Sequence, residues 1–379
     1  SAMRRASLLY GAKRSFYLIN GSTCGILAAV SSVTKPGGKI LMARNCHKAV
    51  YHAAYLRRLK TFYLYPPVTS EGIQGSIAPR SVEQALKRDP DVEAVIISSP
   101  TYDGVVSDIK SIAEAVHRRN IPLIVDEAHG AHFGFHSYFP KSSASLGADL
   151  VIQSMHKTLP SLTQTALLHI CTDRVDEEKV SRFLGIYETS SPSYVLMAGM
   201  DRCVRLMEQR GKILFQNYAA KLSDFYCRAG KLNCLKISAP LKNKDENCFC
   251  IDPSKIRISG KECGVGGKKL YDLLLERYRL QMEMYSASYV LAMTSVMDTD
   301  GGFERLLNAL YETDRQIEKE NCNLIQPDFI EDIYGKTEKR LEISDAWEKE
   351  KKSIALSDAC GFIAADFICL YPPGIPVLV

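Results

Sequence analysis

Long apolar runs are scarce in this chain of 379 residues. Apolar runs such as Ala94-Val95-Ile96-Ile97 stop after a few positions, whereas a membrane-spanning helix needs about 20. No such helix is expected, and a membrane is not an expected partner. Arg4, Arg5, Lys13 and Arg14 lie near the start. No apolar stretch with a cleavage site follows them, so a secretory leader is not expected in the sequence as it stands. A basic arm is also lacking. The net charge is only +5, and acids and bases interleave even in the charged stretch 348–352. Nucleic acid is therefore not an expected partner. Cysteines paired at metal-ligand spacing are missing too. The 12 cysteines are scattered, with one Cys248-x-Cys250 and no CxxC. They read as reduced, mostly buried thiols of a cytoplasmic protein rather than as zinc ligands or a disulfide framework.

What remains is an ordinary globular composition, 46% hydrophobic and 24% charged, which excludes wholesale disorder. A chain of this length predicts two domains, here placed at 1–232 and 233–379. Within the first, short apolar runs alternate with amphipathic stretches. Strands are expected at 39–43, 62–65, 94–98, 122–125, 150–152 and 166–170, and helices at 47–59, 80–88 and 107–119. Continuous apolar strands between helices mean a sheet covered on both faces and mostly parallel, hence an α/β fold. Residues 194–228 predict a long helix, with a possible break near Gly211. Beyond 232, strand-like pieces at 248–251 and 281–284 surround a helix at 268–278, which predicts a smaller α+β domain.

Three segments carry candidate chemistry. Ser154-Met155-His156-Lys157 follows the strand 150–152 directly. A lysine just past a buried strand is placed for partial desolvation, which disfavours the ammonium and frees the amine as a nucleophile. Taken alone, the segment is better explained by a solvent-facing loop lysine. Val125-Asp126-Glu127-Ala128-His129 puts a carboxylate at a strand's C-terminal edge, where open α/β sheets bind ligands, although an isolated aspartate there could be a simple cap. Asn20-Gly21-Ser22-Thr23 opens a helical run. Free N–H groups at a positive dipole end, with two hydroxyls, suit a phosphate or an ordinary helix cap. Asp126 and His129 with His132 and His136 lack a fixed ligand frame, so no metal site is expected. The Gly- and Lys-rich stretch 260–269 does not match a phosphate-binding loop and reads as a loop entering a helix.

A phosphate cradle, a strand-end aspartate and a following lysine together match the needs of pyridoxal 5'-phosphate (PLP): an anion site, an acid beside the ring nitrogen and an amine for the aldehyde. The chain here resembles the fold-type-I PLP enzymes, and more narrowly the major domain of the ornithine/lysine/arginine decarboxylases. The resemblance rests on INGSTCGILA, ARNCHKAV, SSPTYDGVVSDI, IVDEAHGAHF, ADLVIQSMHKTLPSLTQ, TSSPSYVLMAGMD and YPPGIPVL, spread over most of the chain. It implies a PLP-dependent transferase-like (aspartate aminotransferase-like) large domain. Lys157 would carry PLP through a Schiff base, and Asp126 would pair with the pyridine nitrogen. Ser22 and Thr23 would bind phosphate, supported by Ser154 and His156. His47 would stack on one ring face and Ala128 would press on the other, with Thr101 near the ring hydroxyl and His129 toward the substrate. Read without the family, His47 is a surface histidine at a helix start. The segment with Ser190 and Ser191 would reach the phosphate of a partner subunit, implying a homodimer.

The implied reaction is decarboxylation of lysine, arginine or ornithine to the amine and CO2. An aminotransferase on the same fold, or a PLP-binding homologue without turnover, is the alternative. Members of the family also carry a longer N-terminal segment and further residues after the proline- and glycine-containing terminal stretch. Both would help to build the mouth of the site.

Overall fold

Burial on both faces explains the inner strands of the central sheet, in which most positions are apolar. The computed structural model describes residues 1–238, 245–320, 338–370 and 374–379. Tyr371, Pro372 and Pro373 of the terminal motif lie outside the described residues. In chain order the first part comprises α1 (Ala2–Tyr10), β1 (Arg14–Leu18), α2 (Gly21–Val33), β2 (Lys39–Ala43), α3 (Lys48–Leu56), β3 (Lys60–Leu64) and α4 (Pro79–Arg88). Then come β4 (Ala94–Ser98), β5 (Val105–Val106), α5 (Ile109–His117), β6 (Leu123–Asp126), β7 (Leu150–Ser154), α6 (Met155–Thr158), β8 (Ala166–Ile170), α7 (Glu177–Tyr187) and α8 (Tyr194–Ala229).

These strands form one sheet in the order β1-β8-β7-β6-β4-β2-β3. Strands β3, β2, β4, β6 and β7 pair in parallel, and β8 runs antiparallel to both neighbours. This is the mostly parallel sheet expected from the apolar runs. Its C-terminal edge gathers the ends of β2, β4, β6 and β7 side by side. Helix α2 crosses the sheet closely at Gly25, where a Cβ would stand 2.6 Å from Leu18 Cδ1 and 3.2 Å from Ile152 Cγ2. Any side chain there would force those neighbours to shift, so glycine fits the approach best.

The second part holds β9 (Lys236–Ile237), β10 (Cys250–Ile251), β11 (Lys255–Ser259), α9 (Gly267–Tyr278), β12 (Met284–Tyr285), β13 (Tyr289–Met293) and α10 (Asp300–Glu320). Strands β12-β13-β11-β9 form an antiparallel sheet. Its apolar face shares a core with α8, α9, α10 and also α1, through Leu222, Phe225, Ile256, Leu270, Leu307 and Ala6. Residues 248–251 and 281–284 are mostly irregular rather than extended. Only Cys250–Ile251 and Met284–Tyr285 pair in a ladder, because the neighbouring residues line loops and not a sheet interior.

Helix α8 runs for 36 residues without the break expected near Gly211. A mid-helix glycine costs only about 1 kcal/mol relative to alanine. Here its bare face lies over Phe135, which stacks on Phe215 with ring centroids 5.0 Å apart. Packing against Phe135 covers the glycine within the continuous helix. Among the described residues, no helix is long and apolar enough to cross a membrane, and every described cysteine is a free thiol.

Candidate active site

A cavity of about 370 Å³ opens at the C-terminal edge of the main sheet, between it and the second sheet. Its wall is assembled from strand ends. Gly21, Ser22 and Thr23 come from the start of α2, Asn45 and His47 from the turn after β2, and Thr101 and Tyr102 from the turn after β4. Asp126, Ala128 and His129 follow from β6, and His156 and Lys157 from the short helix after β7. Glu283 and Met293 close the cavity from the second sheet.

Gly21 has a φ of +76°, a left-handed conformation that turns the chain from β1 into α2 and suits glycine. Asn20 makes no side-chain cap, since its amide donates instead to the Tyr187 carbonyl at 3.3 Å. The first-turn N–H groups of α2, with the hydroxyl-bearing Ser22 and Thr23, thus form a positive rim suited to an anion.

Asp126 is the last residue of β6 and is buried, and its Oδ1 accepts from the Ala128 N–H at 3.1 Å. Burial raises its pKa, while Lys157 and the Ala128 N–H act the other way. Burial likewise lowers the pKa of Lys157, opposed by Asp126 and Glu283. The amine of Lys157 lies 3.1 Å from Nε2 of His129.

His47 stands at the start of a helix, half-buried and not on the open surface. It caps α3, accepting the Ala49 N–H on Nδ1 at 3.2 Å, and it lines the cavity. Burial and the nearby Lys157 and Lys48 pull its pKa down to about 4, so the ring is neutral at pH 7. His156 holds its Nδ1 against the Thr165 carbonyl at 2.9 Å, and burial lowers its pKa. Thr101 is buried, and its hydroxyl accepts from the Val105 N–H at 3.0 Å.

Ser154 lies beneath the cavity, not in its wall. Its Oγ is buried and has no hydrogen-bond partner among the described residues, as is also true of Asn45 Oδ1 in the wall. Ser190 and Ser191 are exposed and are not part of the cavity of their own chain. The Thr189 hydroxyl accepts the Ser191 N–H at 3.1 Å. The histidines after Asp126 diverge. His132 pairs with Asp252 at 3.2 Å, and His136 accepts the Tyr138 N–H at 3.1 Å. Among the described residues, no three His, Cys, Asp or Glu side chains converge as metal ligands.

Sequence reasoning missed Asn45, Tyr102, Glu283, Met293 and Lys255. Asn45 and Tyr102 lie within the motifs ARNCHKAV and SSPTYDGVVSDI. Met293 and Lys255 come from strands, and Glu283 from the residue just before β12, in a sheet whose pairing no local pattern announces. The Tyr102 hydroxyl donates to Glu283, joining the two sides of the cavity.

A parallel sheet with a lysine, an aspartate and a helix N-terminus converging at its C-terminal edge defines the fold-type-I architecture of the PLP enzymes. The family described as Orn/Lys/Arg decarboxylase, major domain, matches residues 1–262. The chain belongs to this family. It is 29% identical over 375 residues to an arginine decarboxylase of Bacillus subtilis, covering 99% of this chain and 76% of the relative. It is 30% identical to an arginine decarboxylase of Bacillus anthracis, covering 98% and 75%. Among solved structures, the constitutive lysine decarboxylase of E. coli superposes with a TM-score of 0.82 at 21% identity, over 100% of this chain. This chain spans 65% of that enzyme's length.

Proposed function

We propose that the chain binds PLP in this cavity and decarboxylates a basic amino acid to its amine and CO2. The observation that carries the proposal is the opposition of Lys157 and Asp126 across one cavity whose rim is the N-terminus of α2. The donor set fits the cofactor. Asp126 is a buried carboxylate raised by desolvation, so it gains from a cationic ring nitrogen beside it. Asn45 and Ser154 offer buried polar atoms still short of partners.

When bound, PLP supplies a conjugated ring that accepts the electron pair left by the departing carboxylate. The protein's residues do the rest. Asp126 holds a proton on the ring nitrogen. The neutral imidazole of His47 gives a flat face for stacking, with Ala128 opposite. The rim of Ser22 and Thr23 neutralises phosphate, and Lys157 supplies the attaching amine. Glu283, fixed by Tyr102, offers a carboxylate to the distal cation of the substrate, in keeping with relatives named arginine decarboxylase. Among the described residues, no arginine lines the cavity to retain an α-carboxylate as an aminotransferase must.

In this proposal residues 1–232 form the cofactor-binding domain, and 233–379 form a smaller domain that closes the cavity. The active unit is a homodimer: Tyr194 and Val195, 79% and 71% exposed, make an apolar patch beside Ser190 and Ser191, which reach a partner's phosphate. The free thiols suit a reducing compartment, the cytoplasm.

Two measurements test the proposal. Borohydride treatment of the PLP-loaded protein, followed by peptide mapping, should place the cofactor on Lys157; a label on another lysine overturns the site. Chromatography after incubation with lysine, arginine or ornithine should show the amine and CO2. A keto acid, or no product from a PLP-loaded protein, overturns the reaction.

A further inference from the structure

Behind the cavity wall lies a second buried lysine that the proposed chemistry does not use. Lys255, the first residue of β11, is 1% exposed. Its Nζ stands 3.0 Å from Nδ1 of His129, whose Nε2 stands 3.1 Å from Nζ of Lys157. Two lysines thus address the two nitrogens of one imidazole.

The proton count of this trio is restrictive. A neutral imidazole has one N–H and one lone pair, and an ammonium can only donate. If both lysines were charged, one would set an N–H against the imidazole N–H. With His129 neutral, only one lysine can be the ammonium while both contacts remain hydrogen bonds. The surroundings of Lys255 choose it. Besides His129 Nδ1, it meets Met293 Sδ at 3.0 Å and the face of the Tyr102 ring at 5.2 Å from the centroid. Three electron-rich partners match the three N–H bonds of an ammonium.

We propose that Lys255 is a positioning residue that donates to Nδ1 of His129, fixes its Nε2–H tautomer, and through that N–H holds Lys157 as the neutral amine. The inference rests on Lys157 being the reactive lysine. A neutral amine is the form that attacks an aldehyde, so Lys255 keeps the nucleophile ready without touching it.

Carboxylates stand near both lysines, so the choice between them rests on the hydrogen-bond geometry around Lys255. Burial, with the nearby Lys157 adding to it, brings Lys255 down to about 8, while Asp252, Glu283 and Asp103 support its charge. Lys157 faces Asp126 and Glu283, and His47 and His156 also lie near His129. Both lysines and burial lower the pKa of His129 well below that of a free histidine, so the ring between them is neutral.

The test needs no turnover. In 15N-labelled protein without added PLP, NMR at pH 7 should show His129 as the Nε2–H tautomer; an Nδ1–H tautomer or an imidazolium overturns the proposal, whatever any variant does. Competitive acetylation across pH, read by peptide mapping, should then titrate Lys157. Lys255→Met should raise the midpoint of Lys157 by a unit or more, about a tenfold loss of neutral amine at pH 7, and Lys255→Arg should restore it. An unchanged midpoint in folded Lys255→Met overturns the proposal. Failure of PLP to label Lys157 would instead sink the site assignment, so the two failures are distinguishable.

Discussion

Asp126 and Lys157 stand at the ends of neighbouring parallel strands, and each lies in the electrostatic field of the other. Asp126 closes β6 in register with Ile152 of β7, and Lys157 sits in the short helix that follows β7. Each moves the other toward its charged form, against the burial that opposes both charges. The pairing of β6 with β7 thus brings the acid and the amine to one edge of the sheet.

Asp126→Asn keeps the shape of the site but removes its negative charge. PLP should still attach at Lys157, while decarboxylation should fall by about 10²–10³, the usual consequence of losing one preorganised electrostatic group. Steady-state rates with saturating PLP check this, and turnover equal to the parent would exclude a role for Asp126 beside the ring nitrogen.

Acid should destabilise the fold through its neutral histidines. Burial holds His169 at about 3, and burial with neighbouring cations holds His47 at about 4. Both lie below the value of about 6.5 that histidine has in an unfolded chain. Their folded pKa values are depressed, so the unfolded state binds more protons as the pH falls below about 6.5. Stability is fully present above that pH and declines toward pH 4, by about 1.4 kcal/mol per pH unit for each such histidine. Urea melts between pH 7 and 4.5 measure the slope. His169→Gln should flatten it by up to one proton, and an unchanged slope would exclude His169 as a contributor.

Gly25→Ala should cost about 1–3 kcal/mol, the usual penalty for overpacking, because the added methyl meets Leu18 and Ile152 in a closed core. The denaturation midpoint should drop with no change in the slope of the transition. A neutral result would mean that α2 can lift off the sheet.

Added PLP should tighten the dimer if Ser190 and Ser191 complete a partner's phosphate site, since a ligand of the assembled state drives assembly by mass action. Sedimentation with and without PLP reads this. Val195→Asp should weaken the association; a monomer that binds PLP tightly at high concentration would defeat the shared site.

The large sheet was legible because its strands are apolar on both faces, as in Ala94–Ser98 and Leu150–Ser154, and because its ligand edge carries residues whose chemistry is local: Lys157, Asp126 and the Gly21 turn. The second sheet was not. Strand β11 reads Lys255-Ile256-Arg257-Ile258-Ser259, an alternation that suggests a half-exposed strand. Yet Lys255 and Arg257 are both buried, Lys255 against His129 and Arg257 against Glu71 and the Asp103 carbonyl. Each cation is matched by a group more than a hundred residues away, and no window of sequence contains that match. Helix α1 was missed for a related reason: its charged opening hides Ala6 and Tyr10, which complete the core beside α8.

The turn that carries Thr101 and Tyr102 belongs in sequence to the main sheet, but β5, just after it, pairs with β10, just before Lys255. The Asp252 N–H donates to the Gly104 carbonyl at 2.8 Å. A Cβ on Gly104 would stand 2.9 Å from the Lys255 side chain, leaving no room to slide. This two-stranded clasp braces the turn against the second sheet, so Tyr102, Glu283 and Lys255 hold one another in place although the chain brings them from three distant stretches.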